Sequence, residues 1–250
     1  MSVDLKAYRS HPREAERVRS LFELVPPDGH RALDIGARDG HLSLILAERF
    51  DCVVALDLHC PVIDHPRVQC VQGDASALQF DDGSFDTVIC AEVLEHVPPT
   101  LLEKVGHEIS RVTRQTAVIG VPYKQDLRVG RTRCHACGKN NPPWGHVNSF
   151  DEQRLAALMP GMRPTRIDFV GQTRSATNAV SAGLLEYAGH PYGTYEQDEA
   201  CIHCGAAITK PQERNLAQKI ATRTAYWLEA IQLRLTPMRG NWIHARFDRV

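Results

Sequence analysis

Two short segments, Cys134-His135-Ala136-Cys137-Gly138 and Cys201-Ile202-His203-Cys204-Gly205, repeat one pattern, CxxCG. Two such knuckles provide four thiolates, the ligand set of a tetrahedral zinc site, and a closed set of four leaves no position for water or substrate. The expected role is therefore structural. The 63 residues between Cys137 and Cys201 exceed the separation in a compact zinc ribbon, so the metal would tie two insertions together. A redox dithiol competes with this reading. The duplicated knuckle with its glycine favours zinc, and His135 and His203 stand inside the knuckles as alternative ligands. Cys52, Cys60, Cys70 and Cys90 sit singly in or near apolar runs and read as small buried hydrophobes.

The other chemistry-bearing residues are acids and glycines. Asp34-Ile35-Gly36-Ala37-Arg38-Asp39-Gly40 follows an apolar run and places glycines in a turn, where the missing side chain lets a ligand approach the backbone. The GxGxxG cradle of dinucleotide enzymes is absent. Asp34, two residues before the first glycine, suits an amino-acid ammonium better than a pyrophosphate. Asp57 closes the next apolar run, where a carboxylate can accept both hydroxyls of a ribose. Asp74, within Gly73-Asp74-Ala75, is placed to accept a hydrogen bond from an adenine amino group. Taken singly, Asp57 reads equally as a solvated turn and Asp74 as a helix cap. Their recurrence at successive strand ends is what points to a ligand.

The elements that must position these residues alternate. Residues 11–25 carry Ala15, Val18, Leu21, Phe22 and Val25 at helical spacing, ended by Pro26-Pro27. Arg31–Ile35, Cys52–Leu56, Val68–Val71, Thr87–Cys90 and Ala117–Val121 read as buried strands, with helices over 40–50 and 101–112 between them. Such alternation predicts a parallel sheet covered on both faces. Ser149 and Glu152 form a capping-box pattern for a helix over 150–159. Arg166–Val170 reads as a sixth strand, 171–200 as a polar, glycine-containing insertion, and 211–235 as a helix.

Residues 30–122, with LDIGxxxG, GDAxxLxFxDxSFD and EVLEHV signatures, resemble the class I S-adenosylmethionine-dependent methyltransferases, in particular the type 11-like small-molecule O-methyltransferase group. The resemblance implies an α/β Rossmann-like sheet with helices on both faces, to which this chain adds a zinc-stapled substrate-side insertion. It implies S-adenosyl-L-methionine bound across Asp34, Gly36 and Gly40, with ribose on Asp57 and Leu58, adenine at Asp74 and Ala75, and Ala91 lining the site. Arg38 replaces a commonly found middle glycine. Glu92, Glu95 and His96 resemble the acidic-histidine cluster that holds a divalent cation such as Mg2+ in ubiquinone-pathway O-methyltransferases, the alternative being that Glu95 and His96 hydrogen-bond neighbouring backbone and shape the pocket. Gly145-His146 resembles the Gly-His-x-x-x-Phe segment of small-molecule methyltransferases. His146 is then a candidate general base, with Glu92 beside it as a candidate catalytic group, while an anchoring role for His146 stands equally. Both knuckles follow strands that in this fold lie beside the transferable methyl group, so zinc would hold a lid.

Composition frames these readings. With 43% hydrophobic and 24% charged residues, 250 residues suit one folded domain with elaborations. A net charge of −1 gives no global attraction for a polyanion, although residues 124–139 and 210–249 are locally basic. No membrane-length apolar run and no signal-peptide core are present, which predicts a cytoplasmic location without a membrane partner. The expected organisation is an N-terminal helix over 1–27, a cofactor-binding core over 28–122, a zinc-stapled lid with the remaining sheet elements over 123–210, and a helical C-terminal segment over 211–250. The expected reaction is O-methylation of a small hydroxylated acceptor, a sugar or natural-product precursor. The alternatives are a zinc-containing RNA or protein methyltransferase, with nucleic acid disfavoured because no aromatic-rich RNA-binding module is evident, and a noncatalytic S-adenosylmethionine-binding protein.

Overall fold

The computed structural model describes residues 9, 11–211 and 213–250, so residues 1–8 of the expected N-terminal segment, Ser10, and Gln212 of the C-terminal one lie outside the described residues. Helix α1 (Pro12–Leu24) opens with a proline, whose missing N–H is no loss in a first turn, and buries Leu21, Phe22 and Leu24. There follow β1 (Gly29–Ile35), α2 (His41–Leu46), β2 (Phe50–Asp57), β3 (Val68–Gln72), β4 (Phe85–Ala91), α3 (Leu102–Val112) and β5 (Thr113–Pro122). The two-residue strands β6 (Thr132–Arg133) and β7 (Asn140–Asn141) make a small antiparallel ladder. The chain continues through α4 (Glu152–Ala157), β8 (Met162–Val170), α5 (Ala179–Tyr187), α6 (Leu216–Leu235) and β9 (Trp242–Arg249).

Seven strands form one sheet in the order β3-β2-β1-β4-β5-β9-β8. The first five pair in parallel, and β9 runs antiparallel to both β5 and β8. Successive side chains of a strand point to opposite faces, and both faces are covered. Leu33 and Ile35 join a core with Leu102, Val105 and Ile109 of α3. Ala32 and Val53 join a second core with Leu21 and Phe22 of α1 and Leu46 of α2. Near-continuous burial of β4 is the signature of a central parallel strand.

Two compact units emerge. The first holds the sheet: residues up to Tyr123, Phe150–Gly171 and Gly240–Val250. The second, Lys124–Ser149 with Gln172–Arg239, holds the β6–β7 ladder, α5 and α6.

Three expectations need correction. Residues 242–249 were expected within a helical segment and instead form β9, with Ile243, Ala245 and Phe247 buried at strand spacing. The helix after Ser149 begins only at Glu152, and its cap is Asp151, which accepts from the Arg154 N–H at 2.8 Å. Phe150 is held extended by a parallel bridge to Tyr123, and Glu152 accepts from the Tyr123 hydroxyl at 2.9 Å. The polar, glycine-containing insertion expected over 171–200 contains the largely apolar helix α5, capped by Asn178.

Candidate active site and cysteine cluster

The C-terminal ends of β1, β2, β3 and β4 carry the acids and glycines expected to meet a ligand. Gly36 follows β1 at φ 79°, and a Cβ there would press on Val93 Cγ2. Its N–H bonds the Leu56 carbonyl at 2.8 Å, which ties the turn to the end of β2. Gly40, also at φ 79°, opens α2. Arg38 stands between them at φ 48°, in the left-handed region that glycine enters most readily. Its N–H donates to Asp57 Oδ2 at 2.9 Å, so the same contact that holds the strained turn orients the acid at the end of β2.

Asp57 is half-buried and keeps Oδ1 without a protein donor among the described residues, while Leu58 beside it is 64% exposed. A carboxylate with a free oxygen next to an uncovered apolar side chain is suited to a ribose carrying a flat base. Asp74 accepts from the Ser76 N–H at 2.7 Å, a bond that lowers its pKa, and Ala75 packs against the core. Ala91 is buried at the end of β4. Asp34 differs from the other acids. It is buried, its Oδ2 accepts from Ser43 Oγ at 2.6 Å, and desolvation raises its pKa to about 6. It clamps β1 to α2 and is the acid least open to a ligand.

Glu92, Glu95 and His96 do not converge as a set. Ligand atoms of Glu95 and His96 lie within 4.8 Å of each other, and among the described residues Glu92 is not part of that group. Glu92, at φ 58°, turns its carboxylate the other way. Its Oε2 accepts from Trp242 Nε1 at 3.3 Å and its Oε1 lies 3.8 Å from Arg17 Nη1. Arg17 is itself buried and bonded to Glu14 through two contacts of 2.8 and 2.7 Å. Burial raises the pKa of both Glu92 and Glu95, the effect being greater for Glu95, where Glu92 adds to it. Burial lowers that of His96, with Arg38 contributing.

The Glu14–Arg17–Glu92 network was not anticipated. Its signal was an i,i+3 charged pair on the same face of α1 as Leu21, where an amphipathic helix should be apolar. His244 of β9 lies beside it, fully buried, with Ser20 Oγ 3.0 Å from its Nδ1 and a pKa lowered by burial to about 3.

In the second unit, Cys134 and Cys204 place their sulfurs 3.7 Å apart and Cys137 and Cys201 3.6 Å apart, and all four Sγ atoms lie within 4.8 Å of one another. The two knuckles share one backbone pattern. Gly138 N–H bonds the Cys134 carbonyl and Gly205 N–H the Cys201 carbonyl, at 2.9 and 2.8 Å, and both glycines have positive φ. Asn141 of β7 accepts from the Ile202 N–H at 3.0 Å, joining one knuckle to the other. His203 is turned to the Asn140 carbonyl at 3.1 Å. His146 follows a single 3-10 turn and has Gln125 Oε1 at 2.6 Å from its Nδ1. It is buried, and Trp144, at φ 52°, stacks near it with ring centroids 5.9 Å apart.

The model of a family described as a methyltransferase domain matches residues 33–120. An uncharacterized methyltransferase of Mycobacterium bovis is 32% identical over 130 residues, 50% of this chain and 50% of its own length. A ubiquinone biosynthesis O-methyltransferase of Xanthomonas euvesicatoria is 37% identical over 103 residues, covering 37% of this chain and 42% of that protein. The chain thus spans about half the length of the curated relatives it matches. Among solved structures, the N-methyltransferase NodS from Bradyrhizobium japonicum, in complex with S-adenosyl-L-homocysteine, has a TM-score of 0.56 at 14% identity, covering 99% of this chain and 93% of that one. The likeness is one of fold: a Rossmann-like α/β methyltransferase sheet, mostly parallel. Among the described residues no helix is long and apolar enough to cross a membrane.

Proposed function

We propose that the protein is an S-adenosylmethionine-dependent methyltransferase that methylates a hydroxyl of a small metabolite, a sugar or natural-product precursor. The observation that carries the donor is the Asp57 carboxylate at the end of β2, oriented by the Arg38 N–H, with Oδ1 open and Leu58 exposed beside it. S-Adenosylmethionine, when bound, supplies an electrophilic methyl group on a sulfonium. The chain's own work is to hold the nucleoside on Asp57, Leu58, Asp74 and Ala75, to let the ligand approach at Gly36 and Gly40, and to keep the acceptor oxygen in line and away from water.

His146 is the proposed base. Gln125 Oε1 can only accept, so the neutral imidazole carries its proton on Nδ1 and its lone pair on Nε2. That tautomer suits removal of a hydroxyl proton. The likeness to a relative named for O-methylation supports an oxygen acceptor. The cysteine cluster is read as a structural zinc site. Four Zn–S bonds of about 2.3 Å in a tetrahedron separate the sulfurs by about 3.8 Å, close to the spacing of the two sulfur pairs, whereas a disulfide needs about 2.05 Å.

The test is calorimetric binding of S-adenosylhomocysteine, followed by release of S-adenosylhomocysteine from S-adenosylmethionine with a panel of sugars, nucleotide sugars and phenols. Binding with Asp57→Ala at least tenfold weaker, and turnover lost in His146→Gln with binding kept, are expected. Turnover on amines alone would refute the oxygen acceptor, and absence of binding would refute the donor.

A further inference from the structure

The second unit presents an apolar surface that its own fold leaves uncovered. On α6, Ala221, Thr222 and Ala225 are buried, and Ser181 Oγ of α5 donates to the Ala225 carbonyl at 3.2 Å. At the helical repeat, Leu216, Ile220, Trp227, Ile231 and Leu235 share an arc of roughly 100° on the opposite side. All five are exposed, Leu216 by 73%, Trp227 by 65% and Leu235 by 83%. Gln218 Nε2 donates to the Tyr187 carbonyl at 3.3 Å, and Tyr192 lies against Tyr226 with ring centroids 5.8 Å apart, so Tyr187 and Tyr192 extend the patch. Both tyrosines are exposed, as is Val180, two turns before Tyr187 on the same face of α5.

On α6 itself the charges beside the stripe have one sign, the exposed acids nearby, Glu186 of α5 and Glu213 ahead of α6, lying off that helix. Lys219, Arg223 and Arg234 run along its edge, all exposed, and Arg214 lies over the Tyr192 ring at 5.4 Å. The single acid of α6, Glu229, is half-buried and accepts from Thr177 Oγ1. Other basic residues of the C-terminal region are engaged elsewhere. Arg239 donates to the Lys124 and Ser175 carbonyls, Arg246 to Asp248, and Arg249 to the Ser110 and Thr113 carbonyls. Pairing α6 with a second α6 would oppose like charges with no free acid on the helix to receive them. An occupant must therefore offer apolar depth and negative charge together.

We propose that the outer face of α5 and α6 docks on an anionic lipid surface, with Leu216, Ile220, Trp227, Ile231 and Leu235 entering the headgroup–acyl boundary and Lys219, Arg223 and Arg234 at the phosphates. Tryptophan and tyrosine are suited to that boundary, where one end of the ring is wet and the other apolar. This is attachment in the plane of a bilayer and involves no spanning helix.

The test uses the full chain in sedimentation with vesicles of phosphatidylcholine alone and of phosphatidylcholine with phosphatidylglycerol. Expected is binding to the mixed vesicles that weakens with salt. Each of Lys219→Gln, Arg223→Gln and Arg234→Gln should lower partitioning about fivefold, since a basic group near such a surface contributes about 1 kcal/mol. Trp227→Glu should abolish it, while unchanged circular dichroism and S-adenosylhomocysteine binding show the variant intact. No binding to mixed vesicles at low salt would overturn the proposal, as would undiminished binding by Trp227→Glu. A wild-type dimer that Trp227→Glu splits would assign the face to a second copy, and capture of acidic proteins without vesicle binding would assign it to a protein partner; either result overturns the proposal.

Discussion

Gly36→Ala separates two demands that the first turn places on one residue. The backbone there has φ 79°, and a left-handed conformation costs a residue with a Cβ about 1–2 kcal/mol. The new methyl would also press on Val93 Cγ2, and overpacking of this kind costs about 1–3 kcal/mol. Together the loss is about 2–5 kcal/mol, a large part of the ~5–15 kcal/mol of a typical domain, so the variant should fold with reduced stability. Val93→Ala in the same chain makes room for the methyl and leaves the backbone term in place. Urea unfolding of the four members of the cycle should then give a favourable coupling of about 1–3 kcal/mol between positions 36 and 93. Additive losses, or a Gly36→Ala variant within about 0.5 kcal/mol of the parent, would refute the steric reasoning. Binding of S-adenosylhomocysteine supplies a separate reading: the double variant should regain stability without regaining full affinity. Full affinity in Gly36→Ala itself would remove this glycine from the proposed cofactor site.

Asp34 makes folding depend on pH with a definite sign. Its carboxyl titrates at about 6 in the folded chain against 3.8 as the ordinary value, so its contribution is fully present below pH 3.8 and is lost as pH rises to about 6, about 3 kcal/mol in all. Asp34→Asn should gain on the parent by that amount between pH 4 and pH 7 in urea unfolding, and parallel curves would contradict the assignment. Arg17→Ala removes the two guanidinium bonds to buried Glu14 and should cost about 3–5 kcal/mol, whereas Glu14→Leu with Arg17→Met should recover most of it by thermal unfolding. The isolated protein should carry one zinc per chain by atomic absorption, and Cys201→Ser should lose it. Hydrogen exchange should then rise within 124–149 and 172–239 while S-adenosylhomocysteine still binds; a metal-free parent would refute the zinc reading.

The placing of acids and glycines at the ends of β1 to β4 was legible because each is set by a local rule: an apolar run, then a turn, then a residue type whose chemistry the turn exposes. The cysteines were legible because a knuckle is five residues long. What the sequence hid is non-local. Strand β9 alternates Ile243, Ala245 and Phe247 with polar residues, a period-2 signal, but its place between β5 and β8 is fixed by partners more than 70 residues away. The Ser149–Glu152 capping pattern is locally sound. It loses because Tyr123, on the far side of an insertion, holds both Phe150 and Glu152. Glu92 shows the same limit at the level of chemistry. Its type and position suggested a catalytic group or metal ligand, and both roles depend on where its carboxylate points. That direction is decided by Arg17, 75 residues earlier, and Trp242, 150 residues later. A residue's chemistry can be read from its neighbours in sequence only when those neighbours also surround it in space. At the ends of β1 to β4 they do, whereas at Glu92 the partners come from the first helix and the last strand.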